Sequence, residues 1–87
     1  MTERLVEALF PANERGDVLA LLDDYAGQET ERVRWAVLKF VDGDVARLYE
    51  ALDLANLDFR DALMRADFGE VSAHLQWASA VLDTARP

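Results

Sequence analysis

Glu70 and His74 stand four residues apart. On a helix that spacing sets a carboxylate and an imidazole on one face, where they can share a metal ion or a proton. A metal site needs further ligands, and the chain has one histidine and no cysteine. Ser72 and Ser79 do not complete a hydrolytic triad with His74, because Ser72 lies two residues away on another face and neither serine occupies a nucleophile elbow. Arg60 sits between Asp58 and Asp61, with Arg65 one turn further on. Its planar guanidinium suits a partner's carboxylate or phosphate, while Asp58 and Asp61 have the simpler task of supporting a helix start. The acid pairs Asp23-Asp24, Asp42 with Asp44 and Asp58 with Asp61 fall short of a calcium loop, since DGDVARLYE supplies only the opening fragment of one. The four glycines are scattered singly, so no phosphate-cradling loop is present.

The remaining chemistry belongs to the indoles. At 100° per residue Val33, Ala36, Val37, Phe40 and Val41 form one stripe, while Trp35 and Leu38 point away from it. Arg32 and Lys39, three residues before and four after Trp35, stand beside its ring. A tryptophan flanked by bases has the composition of an interaction hot spot; the competing reading is a sandwiched helix with the basic stems packed alongside the ring. Trp77 adjoins a broader apolar flank and carries the same pair of readings. Arg32, Trp35, Lys39, Arg60 and Trp77 are therefore the candidate partner-binding residues. No catalytic, cofactor-binding or metal-binding residue is assigned, and no cofactor is expected.

The elements that must position these residues are short. Leu5, Val6, Leu9 and Phe10 define a first helix that Pro11 stops, because the residue before proline is driven out of the helical region. Asn13 is placed to cap a second helix over about 14 to 26, with Val18, Leu21, Leu22 and Tyr25 inward and Gly27 as its left-handed terminator. Thr30 starts a third that runs to Val41, before Asp42-Gly43-Asp44 turns the chain. Val45, Leu48, Tyr49, Leu52 and Ala55 make the stripe of a fourth. Asp58 caps a fifth whose inner side is Phe59, Ala62, Leu63 and Ala66, and Phe68-Gly69 breaks the pattern. Val71, Leu75, Ala78 and Leu82 define a last helix, with His74, Trp77 and Val81 along its flank. Alternating β-branched runs are lacking, so the expected fold is all-α: a compact bundle of five or six short helices in a single domain over residues 1–87. Helix three is its natural centre.

At 87 residues the chain is near the lower limit for a self-sufficient core, but 52% apolar content is well above the disordered regime. The opening MTERLVEALFPANERG has acids among its apolar residues, which fits neither signal peptide nor membrane anchor; a cytoplasmic location is expected. The net charge of −8 is uneven, with eight acids against two arginines over residues 1–31 and three bases without an acid over 32–39. Nucleic-acid binding calls for a broad basic face, which three bases on this background do not provide.

The segments ERVRWAVLKFVDGD (Glu31 to Asp44) and LDFRDAL (Leu57 to Leu63) resemble those of a group of short bacterial helical proteins of unassigned function. The resemblance covers roughly Leu21 to Asp67. It implies a helical fold, an aliphatic residue elsewhere in the group where Trp35 stands here, and no site residue to carry over. The sequence thus points to a non-enzymatic helical interaction module, an adaptor or assembly subunit contacting another protein or itself as a homodimer, through the surface of helix three. The alternative is an acidic inhibitor that imitates nucleic acid, presenting Asp17, Asp23, Asp24, Glu29 and Glu31 to a basic partner.

Overall fold

The computed structural model describes residues 1–70 and 72–84. Six α-helices follow one another: α1 (Thr2–Leu9), α2 (Ala12–Asp23), α3 (Thr30–Val41), α4 (Leu48–Leu57), α5 (Phe59–Arg65) and α6 (Ala73–Thr84), with a 3-10 turn, Val45–Arg47, leading into α4. Among the described residues there is no strand, and the fold is the expected all-α bundle.

The bundle is organised around α3, which packs against α1 and α6 as well as α4 and α5. Val33, Trp35, Ala36, Val37, Leu38 and Val41 are all buried along it. Its two apolar faces thus have the same explanation: each meets a layer of helices. None of these helices exceeds 12 residues, and isolated helices of that length are marginal in water, so burial on both sides of α3 is what holds them.

Local chemistry accounts for the boundaries. Phe10 is extended at φ −129, ψ 148, as a residue before proline should be. Helix α2 then starts two residues before the expected position. Pro11 itself is the N-cap with ψ 158, leaving Asn13 inside the first turn without a capping role. The helix ends at Asp23, and Gly27 is not its left-handed terminator: the described residues with positive φ are Glu29, Asp42, Gly43 and Asp67. Gly27 instead lies under the Tyr25 ring, where a Cβ would come within 2.9 Å of the phenol oxygen. Both residues of the Asp42-Gly43 turn are left-handed, and Asp44 caps the next amides as expected, accepting from Ala46 N at 3.0 Å.

Two inward assignments are overturned. Tyr49 is 61% exposed, because the intervening 3-10 turn advances about 120° per residue and shifts the phase of the stripe that began at Val45. Leu75 is 52% exposed, because α6 is rotated so that Ala78 is buried and Trp77 and Val81 pack against the core. Val71 lies outside the described residues. Phe68, read from sequence as a mere break, is a buried core residue that carries the chain from α5 towards α6.

Candidate functional site

Trp35 is 1% exposed, and its Nε1 donates to Thr2 Oγ1 at 2.9 Å. The indole ring lies 5.3 Å from His74, centroid to centroid. It is therefore a keystone between α1 and α6, satisfied in its one polar group as a buried indole must be. This corrects the expectation that α3 offers Trp35 to a partner.

The flanking bases are likewise turned inward. Lys39 Nζ donates to Ala66 O at 2.7 Å and lies 5.1 Å from the Phe68 ring centroid. Arg32 Nη2 donates to Phe68 O, and its side chain is only 14% exposed. Both acceptors lie at the end of α5 or just beyond it, where carbonyls have no intrahelical partner and the helix dipole favours a cation. The pattern recurs. Arg15 donates to Phe10 O at 3.0 Å and to Glu7 O at 2.9 Å, closing the end of α1. Arg34 reaches Tyr25 O at 2.7 Å and Asp23 O at 3.3 Å, closing the end of α2. These helices lack a basic residue in their own last turn, so the cation comes from elsewhere in the chain. Periodicity within one element cannot reveal such a contact.

Arg60 remains exposed, with its guanidinium 5.8 Å from the Phe59 centroid; Asp58 caps α5 by accepting from Arg60 N at 3.1 Å. Trp77 is half-buried against Phe68, their rings 5.7 Å apart. Of the five candidate contact residues, Arg32, Lys39 and Trp77 thus converge on Phe68, while Trp35 is buried and Arg60 stands exposed on α5. Glu70 does not share a helix face with His74, because α6 begins only at Ala73. His74 Nδ1 and Arg32 Nε are shielded from solvent without a hydrogen-bond partner among the described residues, beside a hollow of about 330 Å³. Glu29 and Glu31 share that hollow and oppose an anion there. Among the described residues no group of three or more histidine, cysteine or acidic side chains is placed to hold a metal ion, and no helix is long and apolar enough to cross a membrane.

A groove of about 700 Å³ lies between α1 and α6, with Trp35 among its lining residues. Met1, Leu75 and Leu82 supply apolar walls, and Arg4, Glu7 and Asp83 line it with charge. Met1 is 60% and Leu75 52% exposed. Of the residues lining this groove, the sequence offers Trp35 alone as a contact residue. The signal that could have found it is the composition of α6: AHLQWASAVLDT holds a single formal charge, Asp83, in a chain whose residues are 30% charged.

Fold and groove together define a small all-α bundle with one sparsely charged flank. Comparison with protein families, curated proteins and solved structures finds no match for the chain.

Proposed function

We propose that this chain is a non-enzymatic helical interaction domain that works by protein contact, and that its contact surface is the α1–α6 face instead of α3. The observation that carries this reading is the mismatch between the composition of α6 and its setting. Ala78 alone is fully buried along this helix, yet Leu75 is exposed, Trp77, Val81 and Leu82 are only partly covered, and eleven of its twelve residues carry no formal charge. Depletion of charge around exposed apolar residues is the compositional mark of an interface core. The adjacent groove gives that face relief, which flat apolar surface lacks.

The reading is tested by photo-crosslinking. A photoreactive residue in place of Leu75 should give a discrete protein adduct in the native cell, whether with this chain or another, and the same residue in place of Glu50 should not. Equal labelling from both positions, or none from position 75, overturns it.

A second reading has its own supporting observation. Arg15, Arg32, Arg34 and Lys39 are turned onto backbone carbonyls, while Asp17, Asp23, Asp24, Glu29 and Glu31 are all exposed. An acidic inhibitor that imitates nucleic acid before a basic partner would use that imbalance. Capture of such a partner should weaken steeply with salt; weak salt dependence would remove this alternative and leave the α6 contact.

A further inference from the structure

We infer that the occupant of the α1–α6 face is a second copy of this chain, paired about a two-fold axis with the two α1 helices antiparallel. This rests on the reading of that face as a contact surface and names its partner.

Charge decides the matter. At −8 each, two copies repel over most of their surfaces. The α6 helix, with Asp83 as its one formal charge, is where they approach at least cost. Next to it, α1 displays Arg4 and Glu7, both exposed, one turn apart, and both lining the groove. Neither side chain forms an ion pair or side-chain hydrogen bond among the described residues. An isologous interface requires that if residue i meets residue j of the other copy, j also meets i. Antiparallel α1 helices in the register that sets Arg4 opposite Glu7 satisfy this condition twice, because the same register sets Glu7 opposite Arg4. Each base then meets an acid, and the apolar Met1 and Leu75 walls are brought under cover. Asp83, which also lines the groove, is left without a base opposite it in this register. The groove's mixed pair, Arg4 beside Glu7, is answered charge for charge by a second copy in this register.

The test is sedimentation of the full chain from about 1 µM to about 1 mM, a range that spans ordinary transient association. Concentration-dependent dimer is expected. Arg4→Glu opposes two carboxylates across the axis at each contact, and Glu7→Arg opposes two guanidinium groups. Each variant alone should therefore dimerise roughly tenfold more weakly, the scale of two surface pairs lost and reversed. Mixing the two variants should restore dimer, because one of the two contacts then pairs the new acid with the new base and the other pairs the original acid with the original base. Both substitutions are at exposed positions, and retained helical circular dichroism verifies that each monomer is folded. A wild-type monomer at every concentration, or a mixture that associates no better than its components, overturns the inference. If the wild type is monomeric and position 75 crosslinks to a different protein, self-pairing fails while the contact reading stands; monomer with no adduct removes both.

Discussion

The indole of Trp35 and the hydroxyl of Thr2 are joined by a 2.9 Å hydrogen bond across 33 residues of sequence. It fastens the first turn of α1 to the middle of α3, so the start of the chain is anchored by the central helix. Trp35→Ala should destabilise the fold by about 3–5 kcal/mol, the range for emptying a buried aromatic site. Thr2→Val retains shape but leaves the indole N–H without a protein acceptor, at a cost of about 1–3 kcal/mol. Urea denaturation reads both. A Trp35→Ala chain with near-wild-type stability would contradict the keystone role, as would a Thr2→Val chain indistinguishable from wild type.

Much of this fold is legible in the sequence because its helices are short and punctuated by strong local signals. Thr30 to Val41 is read correctly from spacing alone, and so are the Pro11 stop, the Asp44 cap and the Asp58 cap. The inward assignments of Tyr49 and Leu75 fail where one element's phase depends on another. Tyr49 turns outward because a 3-10 turn precedes it, and Leu75 turns outward because Phe68 draws Trp77 inward. The candidate site was less legible for the same reason. Arg32 and Lys39 look like a frame for an exposed Trp35 within their own helix, but their acceptors lie 36 and 27 residues away. The two-faced pattern of α3 gives its burial on two sides; only tertiary structure tells whether the second side meets helices or a partner.

The carbonyl-capping bases differ sharply from the exposed ones in expected energetics. Lys39→Met keeps the aliphatic stem but removes the Nζ bond to Ala66 O and the cation above Phe68. Hydrogen bonds from charged donors contribute about 1.5–3 kcal/mol, and the loss should fall in that range. Arg60→Met removes a guanidinium that rests on Phe59 at an exposed site, so its effect should stay within about 0.5 kcal/mol. Thermal unfolding of the two variants in parallel provides the comparison, and equal shifts would show that capping from a distance contributes nothing special.

Left-handed backbone marks the two ends of α3. Glu29 at φ 54 bears a side chain in a conformation that costs an L-residue about 1–2 kcal/mol. Glu29→Gly relieves that strain; it also removes a 3.9 Å ion pair to Arg32 whose acid is half exposed, a contact of little value in water. The greater freedom of glycine in the unfolded chain offsets part of the gain, so a stabilisation of up to about 1 kcal/mol is expected. Gly43→Ala should do the reverse. At φ 82 the added Cβ would lie 3.0 Å from Leu9 O, and a loss of at least about 1 kcal/mol follows from the backbone conformation alone. Denaturation midpoints that moved in the same direction for both variants would refute this account of the α3 ends.

Tyr25 links the end of α2 to the start of α3 through its hydroxyl, which donates to Gln28 O at 2.7 Å. Burial raises its pKa above the usual 10.0, and the Glu29 carboxylate nearby pushes in the same direction. The folded state therefore binds the phenol proton more tightly than the unfolded state. By linkage that contribution to stability is fully present below pH 10 and declines as pH rises from there through the raised folded value. Tyr25→Phe removes both the hydrogen bond and this pH-dependent part, at a cost near neutrality of about 1 kcal/mol. In a Tyr49→Phe background, which leaves Tyr25 as the one remaining tyrosine of two, phenolate absorbance should appear with a midpoint above 10, and urea stability should fall over the same alkaline range. A midpoint at or below 10 would mean that the Tyr25 hydroxyl is not held in this buried, carbonyl-facing position.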